Sequence, residues 1–214
     1  MMDNLNKIAI IGGTGKVGRR IAVKALENGY QVRMLVRTPK KLSLNDDRIE
    51  IVEGAVQNRE DIQKLLKDCQ IVINTFGQPL KEKPIYSSVT KTIIEIMAEL
   101  QIERYIGVTG GSLTISNDKK SLINRLGAKL FENFYSDMMI DKKKEWDFLN
   151  SNEQIEKWTL IRLPFITDQE DIGYIKENLT DLPGIKITNG DIATFIINQI
   201  EDSKYIQKAP FISN

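Results

Sequence analysis

Ile8-Ala9-Ile10-Ile11-Gly12-Gly13-Thr14-Gly15-Lys16-Val17-Gly18 is the stretch that decides the fold. The four apolar residues predict a short buried strand, and the glycines that follow turn the chain into an amphipathic segment from Val17 to Glu27. A turn of this kind lets backbone approach a pyrophosphate closely. The helix N-terminus then offers free N–H groups and a partial positive charge to the anion. The spacing Gly12-x-x-Gly15-x-x-Gly18 has one residue more in its first interval than the common G-x-G-x-x-G, and Gly18 allows the helix to pack against the sheet. Glycines alone carry little information. Set on strand, turn and helix and followed by a second strand, they specify a dinucleotide-binding loop rather than a merely tight turn.

Outward from this loop the pattern repeats. Val17, Ile21, Ala25 and Leu26 share one helical face, and Asn28-Gly29 supplies a C-cap. Val32 to Val36, Ile49 to Val52, Ile71 to Asn74 and Tyr105 to Thr109 read as further strands. Between them lie helices at Arg59 to Lys67 and from about Ser87 to Leu100. Gly110 to Arg125 reads as a polar loop, Leu126 to Asn150 as helical, and Trp158 to Arg162 as a sixth strand ended by Pro164. A turn at Pro183-Gly184, a short strand at Ile185 to Ile187, a helix from Gly190 to Glu201 and an apolar run at Pro210 to Ile212 complete the chain. Asp191 is expected to cap that last helix. Strictly alternating β and α units with strands apolar on both faces predict an α/β, doubly wound parallel sheet of Rossmann type. No linker or repeat divides the 214 residues, so one domain is expected over 1–214. Its acceptor side would come from 110–135 and 163–190.

Composition narrows the chemistry. Histidine is absent, which excludes a histidine base, a Ser-His-Asp triad and most zinc sites, and no metal site is expected. Cys69, the one cysteine, precedes an apolar strand and reads as a buried structural thiol in a reducing compartment. Thirty basic against 29 acidic residues leave a formal charge of +1, with no global field for nucleic acid or an anionic membrane. Met1 to Lys7 lacks a secretory apolar core, and no apolar run reaches the roughly 20 residues a bilayer requires. A soluble, cytoplasmic protein with a small-molecule partner is expected, its oligomeric state open.

The end of the second strand bears on cofactor choice. NAD-selective sites usually carry an acid there for the ribose hydroxyl. Here Arg37 follows Val36, with Thr38 beside it and Lys40 and Lys41 nearby, which suits a 2′-phosphate. NADP(H) is the expected cofactor and NAD(H) the alternative.

The glycine loop, Leu35-Val36-Arg37, Val52-Glu53-Gly54, Ile71-Val72-Ile73-Asn74, Arg104-Tyr105-Ile106 and Trp158 to Ile166 together resemble the atypical short-chain dehydrogenase/reductases. The resemblance runs from Lys7 to about Glu201. It is strongest to the branch of NAD(P)H-binding, NmrA-like proteins and flavin/biliverdin-IX-beta reductases. It implies cofactor contacts at Gly12, Thr14, Gly15, Lys16, Val17, Gly18, Arg37, Ala55, Val56, Thr75, Phe76, Gly77, Thr109 and Gly110, with Pro164, Phe165 and Ile166 against the nicotinamide. Two positions depart from the family. Gly54-Ala55 replaces a common Gly-Asp, and Gly110 stands where a serine is frequent, leaving Ser112 as the nearest hydroxyl.

The resemblance also implies a Tyr-x-x-x-Lys acid/base pair, and here the motif is broken. Lys143 falls near the lysine position, but Met139 stands four residues before it, with Tyr135 one turn further back. Ser112, Tyr135 and Lys143 are thus the candidate catalytic residues. The alternatives are a Tyr135 packed beside Phe131 and Phe134 and a solvated Lys143 in the run Lys142-Lys143-Lys144. A flavin or quinone-like acceptor takes hydride without a placed acid, so the sequence favours an NADPH-dependent reductase of such acceptors. A dinucleotide-binding redox sensor that acts without turnover is the other reading.

Overall fold

The computed structural model describes residues 6–39, 46–79 and 82–214; Lys40 and Lys41 lie outside them. β1 (Lys7–Ile11) is followed by α1 (Lys16–Glu27), β2 (Gln31–Val36), β3 (Ile49–Glu53), α2 (Arg59–Leu66), β4 (Ile71–Asn74), α3 (Tyr86–Glu99) and β5 (Arg104–Gly110). The second half holds α4 (Leu122–Phe134), α5 (Ser136–Ser151), β6 (Lys157–Leu163), β7 (Phe165–Thr167), β8 (Lys176–Asn178), β9 (Lys186–Thr188), α6 (Asn189–Asn198) and β10 (Phe211–Ser213). The main sheet runs β3-β2-β1-β4-β5-β6-β10-β8. Every pair in it is parallel except β10 with β8, and β7 and β9 form a separate parallel pair.

This is the doubly wound sheet the sequence predicts, with an antiparallel edge that it does not. The period-2 alternation of β1 sends Ile8 and Ile10 to one face, among Ile21, Ala25, Ile192 and Ile196 of α1 and α6. Ala9 and Ile11 go to the other face, among Ile62, Leu65, Ile93 and Met97 of α2 and α3. Strand order reverses at β1, between β2 and β4, which places the crevice of such sheets above the glycine loop.

Differences from expectation gather after Gly110. The helical stretch read as continuous is two helices, α4 capped by the Ser121 hydroxyl and broken from α5 at Tyr135. The segment read as a polar loop is fixed by buried cations. Lys120 Nζ donates to the carbonyls of Gly111, Ser112 and Leu113 at 3.1, 3.2 and 2.9 Å. Arg162, fully buried on β6, binds both carboxylate oxygens of Asp118 at 2.8 Å and stacks 3.5 Å over the Phe211 ring. At α6 the N-cap is Thr188 rather than Asp191. The Thr188 hydroxyl accepts from Asp191 N at 2.9 Å and donates to the Asp191 carboxylate at 2.7 Å, while Thr188 N donates to Asn214 Oδ1 at 2.8 Å. The Asp191 carboxylate also accepts from the backbone of Ile172 and Gly173, pinning that loop to the helix.

Among the described residues no helix is long and apolar enough to cross a membrane. Cys69 is buried and free, as its place before β4 suggests.

Candidate functional site

The glycine loop is built by close approaches. Gly12 has φ +78°, and a Cβ there would lie 2.5 Å from Thr75 O on the neighbouring strand end. A Cβ on Gly18 would lie 2.3 Å from Gly12 O and 2.7 Å from Gly13 Cα. The turn closes through Gly15 N donating to Gly12 O at 2.9 Å, and Thr75 donates from both N and Oγ1 to Ile11 O at 2.9 Å. Gly15, the N-cap of α1, offers no side-chain acceptor, and the first turn carries no acid. The leading N–H groups of α1, on Lys16, Val17 and Gly18, are therefore left for an anion. Thr14, Gly15 and Lys16 are exposed at this end.

A cleft of 290 Å³ opens beside the loop, lined by Gly12, Thr14 and Gly15, by Leu35 and Arg37, by Gly54 and Val56, and by Thr75, Phe76 and Gly77. Of the expected cofactor positions, Gly12, Thr14, Gly15, Arg37, Val56, Thr75, Phe76 and Gly77 line this one cavity, while Lys16, Val17, Gly18 and Ala55 do not. Arg37 is exposed and lines the cleft. Ala55, between the lining residues Gly54 and Val56, is not itself part of the lining. Its N–H donates to Asp61 Oδ2 at 3.0 Å, so a carboxylate from α2 steadies the turn after β3. Phe76 N donates to Asn74 Oδ1 at 3.0 Å, and its ring packs 5.5 Å from that of Tyr86. The uncapped helix, and a cradle that any Cβ at Gly12 or Gly18 would fill, fit the pyrophosphate of a dinucleotide.

Beyond the cleft, at the C-terminal end of β5 next to β4, a different set of side chains comes together from the one expected. Thr109 and Gly110 end β5 as predicted. The Thr109 hydroxyl accepts from Lys142 Nζ at 3.2 Å, and that ammonium sits 3.8 Å over the centre of the Tyr86 ring. Lys143 points away and pairs with Asp147 on the exposed side of α5. Helical phase explains the choice. The buried positions of α5 are Met139, Lys142, Glu145, Trp146 and Leu149, a stripe at spacings of three and four that passes through Lys142. Tyr135 lies at the α4–α5 break with its ring 4.7 Å from that of Phe131, the packing role weighed for it. The Ser112 hydroxyl is 3.6 Å from Met139 Sδ, so a thioether stands behind it. Pro164 is half-buried after β6, while Phe165 and Ile166 expose their side chains beyond it.

A buried polar chain underlies this end, and sequence reading missed it. Glu145 Oε1 accepts from the Thr90 hydroxyl at 2.6 Å. Thr90 lies 3.4 Å from Tyr105 OH, which accepts from Asn74 Nδ2 at 3.0 Å. Burial pushes the Glu145 carboxyl upward and the Lys142 ammonium downward, and the opposite charge of each works against that shift in the other. The one signal available was the apolar stripe Met139-Trp146-Leu149, whose phase carries Lys142 and Glu145 inward with it.

The sequence matches the model of the NAD(P)H-binding family over residues 12–203. The chain belongs to this family. Photosystem II assembly factor Ycf39 of Cyanophora paradoxa is 31% identical over 104 residues, covering 46% of this chain and 32% of that protein. The chain spans about half or less of the length of the first curated relatives it matches. Among solved structures, a short-chain dehydrogenase/reductase of Veillonella parvula in complex with NADP superposes with a TM-score of 0.79 at 14% identity, covering 98% of this chain and 94% of that one. A candidate NADH-flavin reductase of Streptococcus pneumoniae gives 0.77 at 21% identity, covering 98% and 99%. At such identities these neighbours show the Rossmann-type fold alone, as the sequence led us to expect.

Proposed function

We propose that the chain is an NADPH-dependent reductase that passes hydride to a flat, apolar acceptor of the flavin or quinone class. The observation that carries this reading is the set of side chains at the C-terminal end of β5, the strand next to the cleft. Lys142 is presented there beneath Thr109, but the residue four positions earlier on α5 is Met138, and Met139 backs Ser112. No tyrosine hydroxyl is paired with the lysine to protonate a carbonyl, so the site suits an acceptor that spreads the charge it receives over its own ring system. Of the candidate catalytic residues, Ser112 stays at this end, Tyr135 serves packing, and Lys142 takes the place first given to Lys143.

In this reading the glycine loop and the first turn of α1 hold the pyrophosphate, and Arg37 meets a 2′-phosphate, favouring NADPH over NADH. The bound nicotinamide supplies the hydride. Thr109, Gly110 and the segment Pro164-Phe165-Ile166 fix the ring face. The segments 110–135 and 163–190 form the acceptor side of a single domain, and the exposed Phe165 and Ile166 offer that side an apolar platform. The printed names of an NADP-bound neighbour and of a candidate flavin reductase support the same class.

The test is stopped-flow oxidation of NADPH with FMN, FAD and short-chain quinones, beside fluorescence titration with NADPH and NADH in wild type and Arg37→Glu. Turnover above the protein-free rate is expected, with affinity in Arg37→Glu shifted at least about tenfold toward NADH. Tight NADPH binding with no acceptor reduced would overturn the reductase reading in favour of a dinucleotide sensor.

A further inference from the structure

α4 is turned the wrong way round for a helix of a lone globular chain. Leu122, Leu126, Leu130 and Phe134 recur every four residues with Ile123 beside them, so one side of the helix is apolar. Such a stripe ordinarily faces the core. Here it faces out: the five residues are 59–82% exposed, and no residue of α4 is buried. The helix is held to the body by its other side. Asn124 Nδ2 donates to Asp181 Oδ1 at 2.7 Å and to Leu182 O at 3.0 Å, and the half-buried Phe131 packs its ring on that of Tyr135. The Ser121 cap completes the tether, its N donating to Asp181 Oδ2 at 3.0 Å and its hydroxyl accepting from Asn124 N at 3.4 Å. These ties leave the apolar side with nothing to pack on, and a helix of 13 residues is marginal in water unless such a side is packed.

We propose that the outer side of α4 is a dimer interface, covered in solution by the same side of α4 in a second copy of this chain. Area argues for it. At roughly 120–150 Å² of exposed surface for each of the five side chains, the stripe presents on the order of 600–750 Å². The largest apolar patch on a typical monomer is about 300–600 Å², whereas a stable interface takes about 800 Å² from each partner. The exposed Lys129 and Asn133, which border the stripe, bring it to that size. Charge argues against a bilayer as the cover. Glu132 stands with Arg125 and Lys129 on the polar side of the helix, and the whole chain carries +1, so no field draws α4 to an anionic surface. A second copy needs no such field. It brings an identical stripe, and one twofold axis covers both at once, the commonest closure among soluble oligomers. The interface goes beyond the reductase reading and does not depend on it.

The experiment is sedimentation equilibrium of the full chain at about 1 to 100 μM, beside Leu126→Glu, Leu130→Glu and Val23→Glu. Val23 is the control: it is exposed on α1, whose core lies on the opposite face of the sheet from that of α5. Wild type is expected at twice the 24.4 kDa of one chain. A carboxylate at the middle of the stripe has no partner across the interface, so Leu126→Glu and Leu130→Glu should each raise the dimer Kd at least about a hundredfold, while Val23→Glu stays dimeric. Both leucines are exposed in the monomer, so the variants should keep the wild-type far-UV circular dichroism, and each stands in should the other fold poorly. The Tm of wild type should rise with protein concentration and that of the two leucine variants should not. A wild type that is monomeric at about 100 μM overturns the proposal, and so does a dimer whose Kd neither leucine variant changes. A monomeric wild type that sediments with vesicles of phosphatidylcholine and phosphatidylglycerol, and loses them in Leu126→Glu, would overturn it in favour of a lipid surface.

Discussion

Replacing Gly18 by alanine tests the central piece of the site with one methyl group. The new Cβ would meet Gly12 O at 2.3 Å, Gly13 Cα at 2.7 Å and Gly12 C at 2.9 Å. All three are backbone atoms of the phosphate loop, so no rotamer change relieves the clash. Ordinary contact begins near 3.4 Å, which requires the loop to retreat from α1 by about 1 Å. Overpacking of that order costs about 1–3 kcal/mol of stability, or roughly 2–4 °C in Tm for each kcal/mol in a chain of this size. The retreat also withdraws loop N–H groups from the pyrophosphate. A hydrogen bond to a charged group contributes about 1.5–3 kcal/mol, so loss of one or two raises the NADPH Kd on the order of tenfold to a thousandfold or more. Fluorescence titration with NADPH, run beside thermal unfolding, reads both effects. Gly127→Ala is the control, since a Cβ there meets nothing within 4 Å. It should leave affinity unchanged and raise stability slightly, by replacing glycine within a helix. A folded Gly18→Ala protein with wild-type Tm and an NADPH affinity within about twofold of wild type would refute the idea that close backbone approach at Gly12 and Gly18 builds the cofactor site.

Two further predictions concern the ordered loop before α4. Asp118→Asn leaves the guanidinium of Arg162, whose side chain is 0% exposed, without its anion. Breaking such a pair should cost about 3–5 kcal/mol in urea unfolding, and a loss below about 1 kcal/mol would show the pair to be dispensable. Lys120 gives a pH signature: burial pushes its amine down from 10.5 to about 8 in the folded state. Between those values the unfolded chain binds a proton that the folded chain lacks, so this group's contribution to stability rises with pH across that window. Relative to Lys120→Met, wild type should gain stability from pH 8 to pH 10, and a flat difference would contradict the burial argument.

Local chemistry made the first half of the fold legible. The sequence places β1, its glycine turn, α1 and the strands through β5 because each strand is dominated by short apolar runs and each helix shows a 3.6-residue period. The family resemblance put the expected cofactor residues at strand ends, and a parallel sheet brings those ends to one edge. The far end of the site was less legible, for reasons that are physical. Lys142 and Lys143 differ by one residue, and the inward choice is set by α5 packing on α3 and β5, which an alignment by motif does not weigh. Glu145 reads as a surface acid in sequence, and only its neighbours Thr90 and Lys142 make it a buried one. The segment from Gly110 to Arg125 is polar and rich in turn formers, yet Lys120 orders it through the carbonyls of Gly111, Ser112 and Leu113, and Arg162, far off in sequence, through Asp118. β8 and β10 are three residues each, too short for periodicity to mark them. The first turn of α4, Leu122 to Arg125, lies in the stretch read as a loop, and no residue of that helix is buried.

The packing of α6 against α1 sets an order of events during synthesis. Ile21, Ala22 and Ala25 of the phosphate-binding helix share a core with Ile192, Ala193 and Ile196. Asn189 Nδ2 bonds Lys16 O across 173 residues of chain at 3.1 Å, while its Oδ1 receives Gln169 N at 3.0 Å. A ribosome that has released β1 through β5 has therefore made most of the cleft's walls but left one flank of its anion-binding helix uncovered. Dinucleotide cannot act as an early template for this chain: it would be captured late, when α6 has emerged, and the apolar side of α1 must stay shielded until then.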